Sequence, residues 1–399
     1  MPVAPSDGRC YPALMAIINI PRIVRVGGGA LAELPAAMAQ LGLSRPFVVT
    51  DPFLAGSGMV DTLLDVLGAA GMEARVFADT VSDPTNATVE AALALLGEGD
   101  HDCIIGLGGG SPIDTAKAVG ALALDPRPVP SLKVPAVNDL PGLPVIAVPT
   151  TAGTGAEATR VIVITDEATS EKMLCMGLAF LPVIAIVDFE LTMGKPRRLT
   201  ADTGIDSLTH AIEAYVSKRA NPFADALALS AMRLITPNIR RACSHPDDRA
   251  AREAMMVGAH HAGIAFSNAS VALVHGMSRP IGAFFHVPHG LSNAMLLPAV
   301  TAFSAPAARQ RYAECARMMG LADAAESDQS AVGRLVEALE VLNADLEVPT
   351  PAMFGIARAQ FHALIPTMAE QALASGSPAN NPRVPDKAEI EALYRQIYP

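Results

Sequence analysis

Up to about residue 194, short apolar runs alternate with helix-like stretches; beyond that point the runs stop. No other feature restricts the possible folds of this chain as much. Phe47–Thr50 (FVVT), Ala74–Ala78 (ARVFA), Cys103–Gly106 (CIIG), Val145–Val148 (VIAV) and Val183–Val187 (VIAIV) are mostly apolar and bounded by Gly, Pro or Asp. Helix-like segments such as Ala30–Leu41 and Ala87–Leu96 separate several of them. Apolar strands alternating with helices belong to a parallel sheet covered by those helices. From Lys195 helical periodicity takes over, in Asp202–Tyr215, Pro222–Ala242 and Arg249–Phe266, with Pro and Gly clusters near 280–290 and 376–385. The expectation is an α/β dinucleotide-binding domain over residues 1–194, joined at Gly194-Lys195-Pro196 to an all-α domain over residues 195–399.

Composition narrows the function classes. The 399 residues suffice for two domains, and 51% hydrophobic against 17% charged residues excludes a disordered chain. A net charge of −11 argues against a nucleic-acid backbone as partner. Cys10, Cys103, Cys175, Cys243 and Cys315 are odd in number and contain no CxxC pair. That excludes a thiolate metal site of the usual spacing and points to a reducing compartment. No apolar run reaches the roughly 18 residues of a spanning helix, and the start, MPVAPSDGRC, lacks a basic-then-apolar signal. We therefore expect a cytoplasmic protein with no membrane partner.

Two glycine loops follow β-runs. "IIGLGGGSPIDTAKAVG" (Ile104–Gly120) is a run, a glycine turn and a helix opening, in which Ser111 and Asp114 have capping-box spacing. Its glycines admit an anion close to the backbone, and the N–H groups at a helix start favour phosphate. The spacing is not the GxGxxG fingerprint, so this loop alone does not separate a phosphate cradle from a tight turn. "VPTTAGTGAEAT" (Val148–Thr159) adds hydroxyls at Thr150, Thr151 and Thr154. Two such loops at parallel strand ends form the crevice in which α/β sheets bind nucleotides. Asp51 closes the FVVT run, where a carboxylate would accept bonds from ribose hydroxyls and repel a 2′-phosphate. That reading favours NAD over NADP; the plainer reading is a helix cap.

"TGIDSLTHAIEAY" (Thr203–Tyr215) places Asp206 and His210 four apart, on one face of a helix. His275 and His289 stand fourteen apart in "VHGMSRPIGAFFHVPHG", with glycines and prolines between them to fold the segment back. Any one of these histidines alone is more often a core or surface residue. Together, Asp206, His210, His275 and His289 make an Asp-His₃ set suited to Fe(II) or Zn(II).

Over nearly its whole length the chain resembles the iron-containing (group III) alcohol dehydrogenases. The matching stretches are "GGGSPIDTAKA", "PTTAGTGAEAT", "DTGIDSLTHAIEAY", "AGIAFSNA", "VHGM…HVPHGLSNAMLLP" and "NNPR", in the family's order and spacing. The resemblance implies the dehydroquinate-synthase-like architecture of that family: an NAD(P)-binding α/β domain, an all-helical domain and a catalytic divalent metal between them. It implies metal ligands at Asp206, His210, His275 and His289. Cofactor contacts would fall on Asp51, Gly109, Gly110, Ser111, Asp114, Thr150, Thr151 and Lys172, and Phe266 would line the substrate pocket. It further implies hydride exchange between a small alcohol or aldehyde and NAD, with the metal as Lewis acid, and a homodimer or larger homo-oligomer.

One position departs from the family. Many members carry a second histidine, a proton relay, where this chain has Arg279. A guanidinium stays protonated at pH 7 and cannot act as a base. Proton movement would pass to His286, to water or to ribose hydroxyls, while Arg279 could grip an anionic substrate tail or turn away to pair with an acid. Three alternatives stand beside the dehydrogenase: a metal-free reductase of the maleylacetate type, a non-redox enzyme like dehydroquinate synthase, and a catalytically silent NAD- or metal-binding protein. His260 and His261 are expected to pack on a helix, and His101, His245 and His362 to lie at the surface.

Overall fold

A computed structural model describes residues 15–169 and 171–398; Cys10 and the MPVAPSDGRC start lie outside the described residues. Eight strands form two sheets. The larger joins β1 (Ile23–Val26), β2 (Pro46–Val49), β3 (Arg75–Phe77), β4 (Cys103–Gly108), β5 (Val145–Pro149) and β8 (Ile184–Val187) in the order β1-β8-β5-β4-β2-β3. Every pairing in it is parallel. The smaller is an antiparallel hairpin of β6 (Val161–Asp166) and β7 (Glu171–Met176).

Helices cover both faces of the parallel sheet because its central strands are apolar on both sides. In β4, Ile104 packs into one layer while Cys103, Ile105 and Leu107 pack into the other. In β5, Val145 faces the first layer and Ile146 and Val148 the second. Burying each of these Ile, Leu and Val side chains stabilises the fold by roughly 1.5–3 kcal/mol.

The last strand of the large sheet ends at Val187. Beyond it, at Arg197, begins a run of α-helices. Those that matter for the site are α2 (Arg197–Val216), α3 (Pro222–Ser244), α4 (Arg249–Asn268), α5 (Leu273–Phe285) and α6 (His289–Ser304); α1 (Gly110–Ala123) belongs to the sheet half. A single core that includes Ile205, Leu208, Met232, Met277, Leu296 and Phe361 holds the helical half together. No helix among the described residues is long and apolar enough to cross a membrane.

Several features differ from the sequence reading. Strand β1 and the β6–β7 hairpin were not anticipated, and Ala30–Leu41 is a 3-10 turn, Ala30–Glu33, followed by a six-residue helix, Leu34–Ala39. Of the histidines expected at the surface only His245 is exposed. His101 lies against the Phe47 ring, and His362 bonds the Tyr398 carbonyl, both half-buried.

Candidate active site

Residues 206 and 210 share a face of α2, and the start of α6 lies against that face. The approach is close because residue 290 has no side chain: a methyl group there would stand 2.3 Å from the Asp202 carbonyl oxygen. Helix α5 brings in His275 from a third direction. As a result one donor atom each from Asp206, His210, His275 and His289 falls within 4.8 Å of all the others. From Asp206 Oδ1 the Nε2 atoms of His275, His289 and His210 lie at 3.5, 3.8 and 3.9 Å. Asp206, His210 and His275 are buried, whereas the His289 side chain is 41% exposed. The cluster is closed on three sides and open on the fourth, as a catalytic metal site has to be.

Electrostatics prepares the donors. Burial holds the His210 imidazole down at about 3; the His289 ring, packed on its cluster side and open to solvent on the other, is lowered as well, so both are neutral with free lone pairs at pH 7. Burial alone would raise Asp206, but the His210, His289 and His275 rings outweigh it and keep the carboxyl well below its usual range. One anion and three imidazoles around a common point suit a divalent ion with mixed N and O preference. Phe266 stacks on His210, ring centroids 4.2 Å apart at 18°, and His210 in turn stacks on His275 at 4.5 Å. Phe266 therefore walls the cluster, as a pocket-lining residue does.

Two residues around the cluster escaped the sequence reading. Glu213, a further turn along α2, accepts from His275 Nδ1 at 2.7 Å. Asn293 Nδ2 donates to Asp206 Oδ1 at 2.7 Å. The signal for Glu213 was available: position 213 continues the face of 206 and 210.

Arg279, one turn beyond His275 on α5, donates through Nη1 to Ser377 Oγ at 2.9 Å. Among the described residues it has no carboxylate within 4.0 Å, although the Glu213 charge acts on it at longer range. Burial lowers it to about 10, a value at which it is still a cation at pH 7. His286 ends α5 in a left-handed conformation (φ 54°) and is exposed, with no hydrogen bond to the cluster.

The two glycine loops meet, Gly110 beside Thr154, and the second lies against the start of α2, where Gly153 packs on Thr203. β4 and β5 run in register, Gly108 opposite Pro149, so both loops leave the same sheet edge. Gly109 and Gly110 open α1 without a side-chain cap, and a methyl group on Gly109 would stand 3.6 Å from the Thr151 hydroxyl. That hydroxyl is buried without a hydrogen-bond partner, while Thr150 N is taken by the Gly108 carbonyl. Uncapped helix amides beside an orphan hydroxyl fit a dinucleotide phosphate. Ser111 lies half-buried in the first turn.

The remaining cofactor candidates are placed differently. The Ser111–Asp114 capping box does not form: Asp114 turns to β6, where Oδ2 accepts from Val163 N at 3.0 Å and burial raises its carboxyl to about 6. Asp51 caps the helix Pro52–Gly56 by accepting from Leu54 N at 2.9 Å. Lys172 pairs with Asp83 at 2.8 Å, and its Nζ would lie 3.2 Å from a methyl group on Gly282 of α5.

A parallel dinucleotide-type sheet, a helical half and an Asp-His₃ cluster at the cleft define an oxidoreductase. Residues 21–189 match the family model for iron-containing alcohol dehydrogenase, and residues 200–398 that for the C-terminal part of the Fe-containing alcohol dehydrogenase family. The chain belongs to the iron-containing alcohol dehydrogenase family. It is 38% identical over 388 residues to long-chain-alcohol dehydrogenase 1 of Geobacillus thermodenitrificans (strain NG80-2), covering 96% of this chain and 97% of that protein. A crystal structure of 1,3-propanediol oxidoreductase superposes with a TM-score of 0.92 at 35% identity, covering 96% of this chain and 100% of that one. Sulfoacetaldehyde reductase from Bifidobacterium kashiwanohense in complex with NAD+ superposes with a TM-score of 0.86 at 27% identity, covering 96% and 99%.

Proposed function

We propose that this chain is an NAD-dependent, divalent-metal-dependent alcohol dehydrogenase that also runs as an aldehyde reductase on short-chain substrates. The observation that carries the reading is the convergence of four donor atoms within 4.8 Å, in a chain whose glycine loop offers uncapped helix amides beside the orphan Thr151 hydroxyl. Fe(II) or Zn(II) held by Asp206, His210, His275 and His289 would supply Lewis-acid polarisation, and NAD the redox couple. The protein's own part is geometric. Gly109, Gly110 and Thr151 anchor the cofactor phosphates, Phe266 walls the pocket, and the open side at His289 admits substrate. Arg279 stays protonated, so proton exchange falls to His286 or to water entering past His289.

The substrate class follows from Arg279. A cation with no carboxylate within 4.0 Å among the described residues, one helical turn from His275, favours a substrate with an anionic tail, such as a hydroxy acid or semialdehyde. The structural neighbour named for sulfoacetaldehyde, an anionic aldehyde, supports that choice. Four free, buried cysteines support a reducing compartment, which we take to be the cytoplasm, and family kinship supports a homodimer or larger homo-oligomer. We also take residues 1–194 and 195–399 as the two domains.

Elemental analysis of anaerobically purified protein, coupled to an NADH-linked screen that includes anionic aldehydes, tests the reading. The expected result is Fe or Zn bound to each chain together with NADH oxidation. Turnover without metal would indicate the maleylacetate-reductase type, and full metal without turnover a silent binding protein.

A further inference from the structure

Helix α2 presents Asp206, His210 and Glu213 along one face, at spacings of four and three. The first two face the donor cluster. The third reaches the N-terminus of α5, where Ala272 is the cap residue and provides no side-chain cap. Glu213 fills that role from outside. Its Oε2 accepts from Ala272 N at 2.8 Å and from His275 Nδ1 at 2.7 Å, while Oε1 accepts from Val274 N at 2.6 Å. Both Glu213 and His275 are buried.

An ionised carboxylate accepts hydrogen bonds and donates none. The imidazole nitrogen facing it must therefore carry the proton, which leaves Nε2 with a free lone pair. Nε2 is the atom of His275 that lies 3.5 Å from Asp206 Oδ1, inside the cluster. We infer that Glu213 is a positioning residue that joins two ligand-bearing helices and fixes His275 in the one tautomer able to bind a metal. The inference rests on reading Asp206, His210, His275 and His289 as a metal site.

Glu213→Gln separates this role from simple packing. Glutamine offers one acceptor and one NH₂ group to three donors: two backbone N–H groups and the imidazole. With the NH₂ group toward His275, the proton moves to Nε2 and the ligand lone pair is lost. With it toward Val274, a buried N–H faces another N–H. Zn(II) affinity, measured by competition with a chromogenic chelator, should fall about 10- to 100-fold in a variant whose far-ultraviolet circular dichroism matches the parent. Recorded at a pH above the raised titration of His275, the ¹⁵N spectrum of the metal-free parent should show the neutral ring protonated at Nδ1 and bare at Nε2.

A folded E213Q protein with parental Zn(II) affinity would overturn the inference, and so would a parent whose neutral His275 carries its single proton on Nε2. If E213Q does not fold, the parental tautomer decides alone. A parent that binds neither Zn(II) nor Fe(II), whatever its tautomer, would overturn the metal reading itself and this role with it.

Discussion

Gly290 and Asp202 touch so closely that a methyl group on the glycine would stand 2.3 Å from the Asp202 carbonyl oxygen and 3.3 Å from Asp206 Cβ. That contact is where α6 docks on α2, and it determines how near His289 comes to Asp206. Gly290→Ala should push the helices apart, at a cost of about 1–3 kcal/mol from overpacking. His289 moves with α6, so bound metal should fall as well. Urea melts and metal content check this together; a variant with the parental midpoint and full metal would show that the contact does not set the site.

Asp206 is the one anion among the four donors and stands within 4.0 Å of each imidazole nitrogen. Asp206→Ala should leave three neutral imidazoles and lower kcat/KM on the order of a thousandfold, the rate equivalent of several kcal/mol of lost charge stabilisation. Treatment of the parent with EDTA should do the same and be reversed by Fe(II) or Zn(II). Full turnover after exhaustive chelation would contradict the metal reading.

Much of this arrangement was legible in the sequence because its signals are local. Apolar runs with helices between them specify the parallel sheet, and i, i+4 spacing places Asp206 beside His210 on α2. Other parts depend on contacts made only in the folded chain. Strand β1 is four residues at a sheet edge, three half-buried, among them Arg25, and one, Val26, exposed, so it lacks the buried apolar run that marks β4. β6 alternates buried and half-buried residues in a separate hairpin and reads as a continuation of the threonine loop before it. Asp114 has a capping residue's spacing, yet β6 offers its carboxylate a backbone N–H at closer range than the helix start does. Glu213 matters through α5, which lies some sixty residues further on and meets it only in three dimensions.

Arg279 provides a direct comparison between substrates. Among the described residues its guanidinium bonds Ser377 and has no carboxylate within 4.0 Å, so replacing it should chiefly remove an attraction for an anionic tail. Arg279→Ala should lower kcat/KM for 4-hydroxybutyrate about 10- to 100-fold, the value of a charged hydrogen bond, and change n-butanol far less. Steady-state kinetics on both substrates measures the ratio. Equal losses on the two would end the anion-clamp assignment.

Acid should loosen the metal-free protein, and the direction follows from the histidines. His210 is held at about 3 in the folded chain, against about 6.5 when unfolded. Between those values the unfolded chain binds a proton that the folded chain excludes, so stability falls as pH drops from about 6.5. His289 acts with the same sign, but its exposed side lets solvent screen the effect. Asp206 joins below about 3.9, where its unfolded form takes up a proton that its folded form, surrounded by imidazoles, resists. His275 works in the opposite sense: hydrogen bonds to Asp206 and Glu213 outweigh its burial and raise it, so its contribution is complete below about 6.5 and lost as pH rises through the folded value. With His210 and His289 opposing His275, the melting temperature in chelator should decline from pH 7 to pH 4, and Zn(II) retention should decline with it because protons compete for the same nitrogens. A melting temperature that rises over that interval would mean that His275 alone governs the acid response and that the His210 imidazole is not held neutral by its burial.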